Sequence, residues 1–485
     1  MRALRRSLTF VLPMLLAFRA VPAAEPTPPV VHPTPAAEPF SPAVLEEARA
    51  LRERALTDDA GYELLRSLTT EVGPRSAGSP ADARAVSWAV AHLRALGFKN
   101  VRAESVTVSH WIRGEAQAEI TAPWPQPLLP VALGGSGATP PPGIEADVVP
   151  VTTLAELATL PAGAVKGRIV FFTQRMQRTH DGAGYGTAVA VRGTGALESS
   201  KLGAVAVVIR SIGTDSNRLA HTGAMRIADT VRTIPALALS NPDADLLENE
   251  LASGQPVRIR MRNTSMWGDS ARSANVVGEI PGATKASEIV LLGAHLDSWD
   301  LGTGAHDDGA GVATITAAAR LIGAARVAPA RTVRVVLYAN EEHGGQGSRG
   351  YIKRHGEEIA RHVMGMESDL GAFPVLGVAS RVPPDRLPVA RAMAALLAPW
   401  GVPYVGNEAG GGSDVGPLGE LGVPLIDVHT DAAPYFDLHH TANDTFDKID
   451  PALLRQNIGA FATLAYLAAQ YPGDFGRAMK PKPAR

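Results

Sequence analysis

The chain predicts an α/β fold, a sheet with helices on both faces, interrupted by an inserted β-rich segment. Three observations carry this. From about residue 271, apolar runs of strand length alternate with longer runs of helical period, the pattern of a sheet covered on both sides. Before that, roughly from residue 113 to 270, the composition shifts to Pro- and Gly-dense stretches and short strand-like runs. Finally, carboxylates and histidines gather just after several of the later apolar runs, and in such sheets chemistry collects beyond the carboxyl ends of the strands.

Taken in order, residues 1–23 read as an export signal. Arg2, Arg5 and Arg6 precede a mostly apolar run from Ser7 to Phe18, and Val21-Pro22-Ala23 offers a cleavage site. The run is too short to span a bilayer as a stable helix, and Arg19 is an awkward neighbour for it. Arg5-Arg6-Ser7-Leu8 partly resembles a twin-arginine signal; an ordinary Sec signal is the simpler reading. Residues 24–42 form a semi-rigid linker, with seven prolines between 25 and 42.

Residues 43–112 predict helices and then extended chain. The clearest helix is "SPADARAVSWAVAHLRALGF". Ser79 can cap it, Pro80 fits its first turn, Asp82 completes a capping-box pattern, and Gly97 ends it. Val86, Val90 and Leu93 follow its apolar spacing. Within 113–270, strand-like runs fall at 167–172, 203–210, 234–240 and 257–262, with helix-forming residues at 194–201. No catalytic cluster stands out there, and His180 and His221 read as isolated loop residues. In 271–473, strands are predicted at 288–294, 331–340, 363–369 and 423–428, and helices at 309–325 and 451–471, the last capped by Asp450. Residues 474–485 are a tail.

Composition excludes several classes of function. The length of 485 residues suggests two or three domains. A formal net charge of −2 gives no basic footprint for nucleic acid. No later segment offers 18 consecutive apolar residues, so no membrane span is expected. With no cysteine, disulfides, thiolate metal sites and a cysteine nucleophile are absent, and any metal must be held by His, Asp and Glu.

The polar clusters are His295-Leu296-Asp297, Ala305-His306-Asp307-Asp308, Asn340-Glu341-Glu342-His343, Glu367-Ser368-Asp369 and His439-His440-Thr441-Ala442-Asn443-Asp444-Thr445. One such cluster would merely face water. Several at equivalent places favour a metal site with nitrogen and oxygen ligands, of the zinc type. His295 and Asp297 share a face in extended chain, so Asp297 can orient the imidazole. Adjacent Glu341 and Glu342 cannot both point one way; one can hold a metal while its neighbour acts as a base.

"GAHLDSWDLGTGAHDDGAG", "ANEEHGGQGS", "MESD" and "HHTANDT" resemble, in order and spacing, the di-zinc exopeptidase family, which includes bacterial aminopeptidases and glutamate carboxypeptidase. The tryptophan in "HLDSWD" and the "MESD" segment lean toward its carboxypeptidase Q branch. The motifs cover roughly residues 288–447, and "GPRSAGSPADARAVSWAVAHLRALGF" is similar to the start of the family's catalytic domain. The resemblance implies a mixed, largely parallel sheet of the phosphorylase/peptidase-like type, formed by residues 43–112 and 271–473, with 113–270 as an inserted protease-associated domain. It implies two zinc ions, manganese or cobalt being alternatives: His295 and Asp369 on one, Glu342 and His440 on the other, Asp307 bridging. Glu341 would be the general base, Asp297 the orienter of His295, and the peptide bond after Asp307 would be cis. The implied reaction is peptide hydrolysis at a terminus, by an exported aminopeptidase or dipeptidase.

Other polar residues are expected to be bystanders. His306 and Asp300 have no ligand role, Asp308 caps or supports, and His343 faces solvent; His440 is preferred to His439, and Asp369 to Glu367. In the Gly-rich loop 406–419, which lacks the features of a phosphate loop, Ser413 and Asp414 are candidates for substrate contact. Tyr435 is a candidate donor to the oxyanion. A catalytically inactive binding protein on a peptidase scaffold, or another amide chemistry such as glutaminyl cyclisation, remain alternatives. The sequence allows a homodimer without specifying one.

Overall fold

The computed structural model describes residues 39–226 and 234–478. The expected signal and most of the Pro-rich linker lie outside the described residues, as does the end of the tail. Eight strands form the main sheet, in the order Lys99–Val108, Ala271–Ile280, Arg331–Tyr338, Lys285–His295, His362–Glu367, Leu425–Thr430, Val375–Arg381 and Tyr404–Gly406. The sheet is mixed: the four strands from Arg331–Tyr338 to Leu425–Thr430 run parallel. Antiparallel pairs flank them on both sides.

Register decides where the chemistry falls. His295 pairs with Tyr338, and Gly293 with Glu367. Segments carrying Asp297, Glu341-Glu342 and Asp369 therefore leave the sheet at one edge, at the carboxyl ends of parallel strands. The predicted strands at 363–369 and 423–428 are seen as His362–Glu367 and Leu425–Thr430. Val375–Arg381 and Tyr404–Gly406 were not anticipated: the first mixes Gly377, Ser380 and Arg381 among its apolar residues and the second has only three residues, so neither carries a long apolar run.

One face of the sheet is covered by helices Ala310–Gly323 and Pro451–Gln470, with Pro42–Ala55 packed against the latter. Pro451–Gln470 starts where expected, at Asp450, whose Oδ1 accepts the Ala452 N–H at 2.7 Å. It is almost wholly buried: Leu454, Ile458, Phe461, Leu464 and Leu467 all lie in the main core. Such side chains each contribute roughly 1.5–3 kcal/mol by leaving water. The helix Pro80–Ala95 has its Ser79 cap on the Asp82 N–H. Its buried stripe is shifted from the predicted one: Ala85, Trp88, Ala89 and Leu93 are buried while Val86 and Val90 are half-buried. Trp88 sets this, since its ring fills the core and its Nε1–H donates to Ser67 Oγ at 2.9 Å.

Residues 116–263 build a second eight-stranded sheet. Ile144–Val151, Ile169–Phe172, Ala206–Arg210 and Ala236–Leu239 run parallel at its centre. Helices Leu154–Thr159, Ala183–Lys201 and Asn241–Ala252 accompany it, so the helix-forming stretch at 194–201 is the end of a longer helix. The sheets interlock. Trp299, which follows the main-sheet strand Lys285–His295, packs into the core of the second sheet with Trp111, and Arg113 Nε lies 2.8 Å from both carboxylate oxygens of Asp300. Among the described residues no helix is long and apolar enough to cross a membrane.

Candidate metal centre

His295 ends its strand fully buried. Its Nδ1 lies 3.0 Å from the Asp297 carbonyl oxygen and 3.6 Å from Asp297 Oδ1. A carbonyl only accepts, so Nδ1 carries a proton and Nε2 is the nitrogen left to face a cation. The bracing expected of Asp297 thus runs mainly through its backbone. Its carboxylate does something else: Oδ1 accepts the Glu341 N–H at 3.0 Å.

Inside the cleft, His295 Nε2 lies 3.1 Å from Asp307 Oδ1 and 3.4 Å from Asp369 Oδ1. On the other side, His440 Nε2 lies 3.2 Å from Asp307 Oδ2 and 3.1 Å from Glu342 Oε2. Asp307 therefore faces both imidazoles, one with each oxygen. The Asp307–Asp308 peptide is cis, as expected. Asp444 accepts the N–H groups of His306 and Asp307 on separate oxygens, at 2.7 and 3.1 Å, and so holds this segment.

The donor set fits cations. Asp307 Oδ2 and Glu342 Oε1 are buried without a hydrogen-bond donor among the described residues, and imidazole nitrogens face carboxylate oxygens. Ligand atoms on a tetrahedral zinc stand about 3.3 Å apart, close to the 3.1–3.4 Å separations found. Electrostatics agree. Burial and Asp307 push Glu342 well above the carboxylate range. Burial also raises Asp369, and it raises Asp308 together with the Asp369 charge. Burial opposes a charge on His295, yet Asp369, Asp297 and Asp307 hold it well above the usual imidazole value. Without a cation the centre needs protons.

The neighbours sort clearly. Asp308 Oδ2 takes the His295 N–H and Oδ1 the Gly311 N–H, so both oxygens are engaged although three ligand-type atoms of His295, Asp308 and Asp369 lie within 4.8 Å of one another. His306 stacks on Phe373, and its Nδ1 accepts the Ala372 N–H; burial lowers it to about 4. His439 comes no nearer than 3.8 Å to Asp307 and stacks on His440. Glu367 accepts the N–H groups of Ser413, Asp414 and Val415. This works because residue 412 is glycine: at φ +71° a Cβ there would lie 2.3 Å from the Glu367 carboxyl carbon.

A cleft of about 770 Å³ opens onto the centre, lined by Asp307, Glu341, Glu342, Asp369 and His440. Glu341 stands at its wall, with its carboxyl raised to about 8 by burial and by the Asp369 and Glu342 charges. Ser413 and Tyr435 also line the cleft. Burial keeps the Tyr435 hydroxyl well above the usual phenol value, hence a donor. Asp414 does not line it; its carboxylate is buried behind the loop, without a partner.

Two expectations are corrected. His343 is not turned to solvent: its ring packs on Trp299 at 4.4 Å and Trp111 at 6.2 Å, and burial lowers it to about 4. His180 and His221 are not isolated: His180 pairs with Asp431 and His221 with Asp215. The sequence reading also missed Arg192 and Tyr185. Both come from the helix Ala183–Lys201 and line the cleft. Arg192 Nη2 donates to Tyr185 Oη at 2.6 Å, and Nη1 approaches His440 Nδ1 at 3.4 Å. Among the described residues Arg192 has Tyr185 and His440 as side-chain partners and no carboxylate, and its buried Nε has no acceptor. Only the cleft-facing fold of the second sheet could reveal this, because Arg192 lies 248 positions from His440.

The chain is similar to known proteins of one peptidase family. Residues 275–465 match the model of peptidase family M28. The chain is 34% identical to carboxypeptidase Q of Rattus norvegicus over 408 residues, 84% of this chain and 85% of that one; carboxypeptidase Q of Homo sapiens is 33% identical over the same shares. Among solved structures, a peptidase M28 precursor from Shewanella amazonensis is similar with 46% identity and a TM-score of 0.88, covering 90% of this chain and 99% of that one. The fold also resembles an aminopeptidase from Aneurinibacillus sp. strain AM-1, at 21% identity and a TM-score of 0.62, over 90% of this chain and all of that one (100%).

Proposed function

The chain belongs to peptidase family M28 and is a metallopeptidase, and from that premise we propose that it is an exported, zinc-dependent exopeptidase acting on short peptides. The observation that carries this is the placement of Asp307, with one oxygen toward His295 and the other toward His440. A carboxylate so placed suits two ions: His295 and Asp369 would hold one, Glu342 and His440 the other. Zinc bound there supplies Lewis-acid polarisation of the scissile carbonyl and a lowered pKa for the attacking water.

The chain's own residues do the rest. Glu341 takes a proton from the water on its carboxylate and returns it to the leaving amine. Asp297 fixes the Glu341 backbone for that task. Tyr435, kept protonated, donates toward the oxygen that becomes negative. Leu370, Leu376, Val405 and Phe436 line the cleft with apolar surface for a substrate side chain. Ser413 is exposed at the cleft wall, where it would contact substrate; Asp414 supports the loop from behind.

Arg192 favours dipeptides over long chains. A buried guanidinium with no carboxylate partner among the described residues is costly, and a substrate's free carboxylate one residue beyond the scissile bond would complete it, with Tyr185 as neighbour. In this reading 113–270 is a protease-associated insert that supplies part of the substrate site, and the export signal at 1–23 places the enzyme outside the cytoplasm.

The test compares a free dipeptide, an N-blocked dipeptide and a tetrapeptide with wild type and Glu341→Gln. The free dipeptide should be cleaved fastest, and Glu341→Gln should lose 10²–10⁴-fold, on the order expected for a general base, with zinc still bound. Turnover that survives Glu341→Gln with zinc in place would remove Glu341 from this role.

A further inference from the structure

We propose that the inserted segment is a working part of the metal centre, and that Asp215 and His221 are positioning residues for His440. His440 sits at φ +63°, a left-handed conformation that a Cβ resists. Its imidazole must nevertheless reach Asp307 and Glu342. Within its own segment, the turn is held by the His439 N–H to Tyr435 O and the Thr441 N–H to Leu438 O. The remaining support arrives from residues 211–222, about 220 positions away in sequence.

There, Thr222 N–H donates to His440 O at 3.0 Å. The Thr222 carbonyl lies 3.3 Å from His440 Nδ1. As a pure acceptor it selects the tautomer with a proton on Nδ1 and a lone pair on Nε2, the form that binds a cation. Arg192 Nη1, 3.4 Å from the same nitrogen, can only donate and so favours the opposite tautomer; a cation on Nε2 leaves Nδ1 with its proton, which only the Thr222 carbonyl can accept. One residue earlier, His221 Nδ1 lies 2.7 Å from His439 O, and His221 Nε2 lies 2.6 Å from Asp215 Oδ2. His221 is buried, and the Asp215 side chain is only 5% exposed. Gly213 lets the turn close on the ring, since a Cβ there would lie 2.2 Å from it.

Both nitrogens of His221 therefore face acceptors, one on the ligand-bearing turn and one on a buried carboxylate. An apolar residue would fill the same space without the cost of burying a His–Asp pair. The pair instead fixes a direction: Asp215 orients His221, His221 anchors the His439 carbonyl, and the Thr222 carbonyl orients the His440 ring. A metal ligand braced through its outer hydrogen bonds loses about 10–100-fold in affinity when the brace goes.

This rests on His440 being a metal ligand, so His440→Ala is run alongside. The full chain carrying Asp215→Asn, His221→Ala or His221→Asn is titrated with zinc against a chromophoric chelator, and kcat and KM are measured on a free dipeptide. Expected is a 10–100-fold weaker binding of one zinc in Asp215→Asn and His221→Ala, with kcat falling more than KM and recovering at high zinc. His221→Asn, whose amide keeps a donor toward His439 O, should recover part of the affinity. If His440→Ala loses a zinc while folded Asp215→Asn binds zinc as wild type does, the positioning role is wrong and the ligand assignment stands. If His440→Ala itself binds zinc as wild type does, the ligand assignment fails. Should His221→Ala not fold, Asp215→Asn decides alone.

Discussion

Asp297 Oδ1 accepts the backbone N–H of Glu341 at 3.0 Å, linking the segment after one parallel strand to the segment after its neighbour. Asp297 thereby touches both segments: its carbonyl accepts from His295 Nδ1 and its carboxylate holds the Glu341 turn, which carries the base in the proposed mechanism. Asp297→Asn can still offer an oxygen to the Glu341 N–H, whereas Asp297→Ala cannot. We expect Asp297→Ala to lower kcat by 10²-fold or more, in line with misplacement of a reacting group by about 1 Å, and Asp297→Asn to lose less. Steady-state kinetics of the two variants check this; equal losses would mean that the charge, not the hydrogen bond, matters.

How much of this was legible in the sequence differs between the two halves of the site. His295, Asp307, Glu341, Glu342 and Asp369 stand just after strands or at a helix start, where short-range pattern and register suffice to bring them to one edge. The same locality made the Asp450 and Ser79 caps readable. Arg192, Tyr185, His221 and Thr222 reach the site only through packing between two sheets, for which no local spacing exists. His343 was misjudged for a related reason: its burial is created by Trp111 and Trp299, which tertiary structure brings together.

If Arg192 takes the substrate's free carboxylate, as proposed, it separates substrates by their carboxyl terminus. Arg192→Ala should raise KM for a free dipeptide about 10–100-fold, the worth of roughly 1.5–3 kcal/mol for a hydrogen bond to a charged group. It should change little for the same dipeptide amidated at its carboxyl end. Kinetics on the matched pair give the answer; equal losses on both would show that Arg192 acts through His440 instead.

Removing metal should leave a centre of mutually repelling groups. Glu342, Asp369 and Asp308 are all raised by burial, so in the apo-protein they must take up protons or repel. A chelator should abolish activity and lower Tm, and zinc should restore both, because a ligand bound only by the folded state stabilises it by mass action. The stoichiometry of restoration, read by elemental analysis, should be two zinc ions per chain. Full activity at one would leave either the His295 side or the His440 side without a function.

Acid should destabilise the fold through a histidine remote from the metal centre. His362 is fully buried, accepts the Tyr351 hydroxyl on Nε2 at 2.8 Å, and places Nδ1 3.1 Å from the Glu358 carbonyl. That is the bonding of a neutral ring, and burial lowers its pKa to about 4. The unfolded chain takes up this proton near the ordinary value of about 6.5. Above that pH the group costs nothing; as pH falls from about 6.5 to about 4, the unfolded state gains protons that the folded state refuses, and stability declines. Below about 4 both states are protonated and the loss levels off, at a total on the order of 3 kcal/mol. His362→Gln keeps a polar group at the Tyr351 hydroxyl but does not titrate. Urea denaturation of both proteins across this window should give a steeper fall for wild type, and parallel curves would mean that His362 is protonated in the folded protein too.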